Sequence, residues 1–217
     1  MLDTLQSLLE RVYHLELSVR VEDFYVDGRR LDELAAQGAH CSSAQEQLLV
    51  LEESTGDASL ALFIDETVLA RVQQRDPVEP LAGEALHDFC LVAEGVSHFV
   101  YLAWKALRGE PVTQLELELQ AEVDKYVACF VARWEQDHGR FPDELKAALF
   151  RTVTFRADLA PEERDRYRTA NRLALQYCHY LERSFLRDGG LHGAVPELRR
   201  FYRMTQPRKL DHIAARD

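Results

Sequence analysis

Two stretches of the chain, residues 84–108 and 113–138, carry apolar side chains at helical spacing, and a glycine follows each, Gly109 and Gly139. At about 100° per residue, winding divides each stretch into two faces and predicts two long amphipathic rods. On the first rod, Phe89, Val92, Val96, Phe99, Val100, Ala103 and Leu107 form the dry side. His87, Glu94, His98, Tyr101 and Lys105 fall along one line opposite them. On the second, Leu119, Val123, Val127, Phe130 and Trp134 are dry. Glu118, Glu122, Lys125 and Gln136 share the other side, whose spacing suits an exposed charged face.

The longest apolar run, residues 89–104, lies inside the first rod and contains Glu94, Ser97 and His98. A membrane span needs about 20 apolar residues without such interruptions, so the run predicts a buried core helix and no membrane association. The opening residues lack both a basic segment and a continuous apolar segment of a secretory leader.

Around the two rods the pattern is mixed. A first amphipathic helix is expected over residues 3–14. Leu15, Leu17, Val19 and Val21 then alternate with Glu16, Ser18, Arg20 and Glu22, which predicts a strand with one wet face. A short helix around residues 30–37 stops at Gly38. Residues 47–53 and 58–65 read as the arms of a β-hairpin turning through Ser54–Asp57. Asp65 caps a helix reaching about Gln74, which Pro77 and Pro80 end. Pro142 and Pro161 sit where a first helical turn tolerates proline, so they predict helices over 142–151 and 161–187, the latter ended by Gly189-Gly190. A last helix starts at Pro196 and stops at Pro207.

The expected architecture is a single predominantly helical α+β domain over residues 1–217. A small antiparallel sheet of about three strands, within 1–65, packs on a bundle of about five helices within 66–217. At 217 residues a chain buries roughly 70% of its extended surface, so no disulfide or structural metal is required for stability. Cys41, Cys90, Cys129 and Cys178 match no zinc or redox spacing and fit reduced, structural thiols of the cytoplasm.

The net charge of −11 is uneven: residues 1–150 carry −16 and residues 151–217 carry +5. An acidic body disfavours nucleic acid, whose binding depends on neutralising phosphates. The basic third suits either the acidic part of its own chain or a partner.

Polar residues on covered faces are the candidates for chemistry. Glu94 and His98, four residues apart, project from one turn and form a candidate pair of ligands for a divalent metal. The plainer alternative is the polar face of an amphipathic helix, since H-E-x-x-H does not occur and Glu94 and His98 do not form an E-x-x-H pair of the di-iron kind. Gly95 between them costs about 1 kcal/mol relative to alanine in a helix and marks a close crossing or a distortion that aims its neighbours. Glu116 and Gln120 project with the dry side of the second rod. A buried carboxylate is costly by several kcal/mol unless paired or protonated, so Glu116 needs a partner, and the two are candidate catalytic residues, Glu116 as ligand or general base. Arg168, Arg172 and Arg183 lie on one broad basic face of the 161–187 helix, which Arg199, Arg200 and Arg203 extend. These six are candidate anion- or partner-binding residues, with a solvated face as the alternative.

There is no Gly-rich phosphate loop and no G-x-S-x-G turn. Charge asymmetry without a catalytic motif favours an accessory or regulatory protein working through protein contacts. A metal-assisted hydrolase built on Glu94, His98, Glu116 and Gln120 is the alternative, and nucleic-acid binding through the basic third is a further one.

Overall fold

The computed structural model describes residues 1–52, 58–76, 78–151 and 159–216. The expected class holds: the fold is α+β and mostly helical, with one three-stranded sheet. Helix α1 (Leu2–Tyr13) leads through a 3-10 turn (Val21–Phe24) to the two-residue strand β1 (Tyr25–Val26) and helix α2 (Gly28–Ala36). Strands β2 (Glu46–Glu52) and β3 (Ala58–Ile64) pair antiparallel, while β1 joins the other edge of β3 in parallel, so the sheet is mixed. The expected turn at Ser54–Asp57 and the break at Pro77 lie outside the described residues.

The helices follow: α3 (Glu66–Gln74), α4 (Gly83–Leu107), α5 (Gln114–Gln136), α6 (Leu145–Phe150), α7 (Pro161–Leu181), a π-helical turn (Glu182–Leu186), α8 (Arg187–Tyr202) and α9 (Gln206–Ala214). Local chemistry sets the boundaries. Asp65 accepts from the backbone amides of Thr67 at 2.9 Å and Val68 at 3.3 Å. Thr113 accepts from the amide of Glu116 at 3.1 Å. Each cap satisfies amides that a helix start leaves open.

Three expectations change. Residues 15–20 form no strand, because α1 supplies the hydrogen bonds that a ladder would: Gln6 donates to the carbonyl of Val19 and accepts from the amide of Val21. Arg20 pairs with Asp3 and Glu10 of the same helix. Secondly, Pro207 does not stop a helix but stands in the first turn of α9, where its missing N–H is harmless. Thirdly, the last long helix does not start at Pro196. Helical geometry breaks at Gly190 (φ 55°, ψ −159°), at the expected glycine pair, and the helical residues that follow, the rest of α8, already include Pro196.

The two rods α4 and α5 form an antiparallel hairpin at the centre, with the sheet, α1 and α3 packed on α4 and with α6 and α7 on α5. Phe99, Val100, Leu119, Val123 and Val127 are all buried, as winding predicts, whereas Leu107 at the end of α4 is exposed. In the sheet, Leu62 and Ile64 face the main core, while Leu49 and Ala61 face a small cluster with Leu34 of α2. This period of two puts Glu46 on the core side of β2, opposite Ile64. There it approaches α4.

Candidate metal centre

Both rods are covered nearly all round, so their polar stripes meet each other and not water. Glu118 is buried, and the Glu122 and Lys125 side chains are only 14% and 13% exposed. The charged face expected to be solvent-exposed is therefore an internal seam. Along it, Lys105 pairs with Glu116 at 3.1 Å, His98 faces Glu118 at 3.5 Å, and Lys125 pairs with Glu94 at 2.8 Å. His87, on the same line of α4, lies beyond the covered part and is exposed.

Glu94, His98 and Glu118 offer ligand atoms that all lie within 4.8 Å of one another, the one such cluster among the described residues. Ligand–metal distances near 2.0–2.2 Å put ligand atoms roughly 3–4 Å apart, so modest side-chain closure makes a coordination shell. His98 Nε2 is buried and has no hydrogen-bond partner. On the other side of the ring, Nδ1 faces Glu46 Oε1 at 3.4 Å. A carboxylate at Nδ1 holds that proton in place, so a metal would displace only the Nε2 proton and bind there, the arrangement common to metal-binding histidines.

Gly95 explains how a strand carboxylate reaches a helix histidine. A Cβ built there would lie 2.9 Å from Glu46 Cγ and 3.1 Å from Leu62 Cδ1. The glycine marks a close crossing, of sheet on helix.

The cluster is electrostatically unbalanced. Four carboxylates, Glu46, Glu94, Glu118 and Glu122, surround Lys125 and His98. Burial opposes the charge on His98, but Glu118 and Glu46 outweigh it and hold the imidazole well above its ordinary pKa. Burial likewise opposes the charge on Lys125, and Glu122 and Glu94 outweigh it, raising the ammonium. Burial raises Glu46 and Glu122 despite His98 and Lys125 beside them. Glu94 is the exception: burial raises it, but Lys125 and His98 prevail and its pKa falls. Negative charge in excess of the local cations is the environment a divalent ion neutralises.

Glu116 and Gln120 are buried, as expected, but they belong to a second network. Glu116 accepts from the Tyr101 hydroxyl at 2.6 Å and pairs with Lys105, the partner that its burial demanded. Gln120 accepts from Lys209 at 2.7 Å and donates to Asp124 at 2.8 Å. Asp124 also accepts from Ser97 at 2.6 Å and from the Tyr13 hydroxyl. Burial pushes the Asp124 carboxyl up to about 6, against its hydrogen bonds to Ser97, Tyr13 and Gln120.

The basic residues divide by use. Arg168, Arg172 and Arg183 are exposed. Arg199 donates to the carbonyls of Val12 and Arg11, and Arg203 to those of Tyr13 and His14, so both satisfy the open C-terminal end of α1. Arg200 is exposed, with Glu197 at 3.9 Å. Sequence reasoning missed Glu118 and Glu46. The signal for Glu46 was available, since alternation puts it on the same face as Leu48. Among the described residues, no helix is long and apolar enough to cross a membrane. Comparison with protein-family models, curated proteins and solved structures gives no match to this chain.

Proposed function

We propose that this protein is a divalent-metal-dependent enzyme of hydrolytic type, with Glu94, His98 and Glu118 as metal ligands. The observation that carries this reading is the convergence of those three groups within 4.8 Å, with the buried Nε2 of His98 facing Glu118 at 3.5 Å, too far for a good hydrogen bond. Two carboxylates and one imidazole suit Mn²⁺, Fe²⁺ or Zn²⁺ more than Mg²⁺ or Ca²⁺, which prefer oxygen alone. Glu94, His98 and Glu118 would hold the ion, which would lower the pKa of a water reaching it past the partly exposed Glu94 and polarise a substrate oxygen. Lys125, held between Glu94 and Glu122, adds a cation beside the same centre. Glu116, committed to Tyr101 and Lys105, is outside this ligand set.

The experiment is metal analysis of protein purified without chelator, followed by calorimetric titration of the apo-protein with Mn²⁺ and Zn²⁺. About one ion per chain is expected. Loss of binding in His98→Ala and Glu118→Gln, with hydrolysis of a panel of ester and phosphoester substrates restored only by metal, supports the reading. No retained metal and no titratable binding would refute it. The accessory-protein reading rests on the charge asymmetry and the missing catalytic motifs, and part of that asymmetry is consumed inside the chain by Lys209 and Arg199.

A further inference from the structure

At the end of the molecule formed by α8 and α9, a groove of about 660 Å³ is lined by Arg200, Arg203, Arg208 and Arg216, with Met204 and His212. Asp211 is the one carboxylate among the lining residues. The guanidinium groups are positioned mainly by uncharged partners. Arg203 donates to the carbonyls of Arg199, Tyr13 and His14, and Arg216 donates to the carbonyl of His212 at 2.8 Å and lies over the Tyr180 ring. Carbonyls fix a guanidinium without neutralising it. Glu197, a carboxylate near the groove, is engaged by His212, and Arg200 stands 3.9 Å from it. Among the described residues, the groove therefore presents oriented positive charge that is largely uncompensated, and the guanidinium donors not used by those carbonyls suit phosphate oxygens.

We propose that this groove binds a compact polyphosphate-bearing small molecule. Its volume lies in the range of small-molecule sites, about 300–1,000 Å³. Charge disfavours a long polyanion, since residues 1–150 carry −16 in net charge, whereas a short polyphosphate needs only the arginines of the groove. Met204 and the His212 ring give the non-phosphate part a less polar wall. This site shares no residue with the metal centre and stands or falls independently of it.

The test uses the full chain and tripolyphosphate at low salt, by calorimetric titration. Binding is expected, with affinity falling at least roughly tenfold in Arg200→Ala with Arg208→Ala, since each removes a charge-assisted contact to phosphate. Both residues are exposed and hold no helix end, so the melting temperature without ligand should not change. Arg168→Ala with Arg172→Ala, on the exposed face of α7, should leave the affinity intact. Absence of binding, an undiminished affinity in the first double variant, or equal weakening in the second would overturn the proposal. Tighter retention of a single-stranded RNA oligonucleotide than of tripolyphosphate, lost in the same first variant, would overturn it in favour of nucleic-acid binding.

Discussion

Glu46 lies directly over Gly95: its Cγ stands 2.9 Å from the point where an alanine Cβ would be, and its Oε1 3.2 Å away. The buried Leu62 side chain closes the other side at 3.1 Å. Gly95→Ala should gain about 1 kcal/mol of helix propensity and lose more to overpacking, which typically costs about 1–3 kcal/mol. A net destabilisation of about 1 kcal/mol is expected from urea denaturation, with weaker metal binding because Glu46 must move. A more stable variant with undiminished metal affinity would mean that the crossing is loose.

Glu46 would act on a bound metal through His98 and not directly, since it faces Nδ1 of that ring at 3.4 Å. Removing such an outer carboxylate typically weakens a metal site by about 10–100-fold. Glu46→Ala should therefore weaken Mn²⁺ or Zn²⁺ binding by roughly tenfold or more. Glu46→Gln, which keeps an acceptor for the Nδ1 proton, should fall between it and the wild type. Equal loss in both variants would indicate that charge matters there and orientation does not.

The rods and their dry faces were legible because apolar periodicity reports burial whenever one side of a helix stays wet. Phe99 and Val127 obey it, and so do the caps Asp65 and Thr113. The same reasoning misplaced Glu118, Glu122 and Lys125, since a stripe of charge winds identically whether water or another charged stripe faces it. Only complementarity between partners separates the two cases, and here Glu94 and His98 on α4 are that partner. Residues 15–22 misled for a related reason. Alternation marks which side chains are buried, but Gln6 and Arg20, distant in pattern though near in space, decided that the backbone would bond to side chains. The break at Gly190 was legible as a glycine pair, whereas the helix that follows starts before Pro196, since proline marks only where a first turn is tolerated and not where it must be.

Lys209 enters the core completely, donating to the Tyr101 hydroxyl at 3.0 Å and to Gln120. Burial lowers its pKa from 10.5 to about 7, against the attraction of Glu116 and Asp124 and assisted by Lys105. The folded state then favours the neutral amine, so Lys209 contributes most stability above its unfolded pKa and loses it as pH falls towards about 7. Wild-type stability relative to Lys209→Met should accordingly rise between about pH 7 and 10, by at most about 1.4 kcal/mol per pH unit. Taking the difference between the two proteins cancels the tyrosines that titrate at higher pH. Denaturant midpoints across that window check this, and a flat difference would place a permanently charged ammonium in the core.

Gly190 joins the π-helical turn to the rest of α8 with φ 55° and ψ −159°, a region essentially closed to residues with a side chain. A Cβ there would also lie 3.3 Å from Trp134 Cζ2. Strain and crowding act together, so Gly190→Ala should lose roughly 1–3 kcal/mol from the backbone alone. The indole is the natural reporter, because the substitution pushes against it before anything else. A shifted Trp134 emission in the native state together with a lower urea midpoint is expected. Unchanged emission and midpoint would require α8 to be straight at Gly190, with the residues after it drawn into one continuous helix.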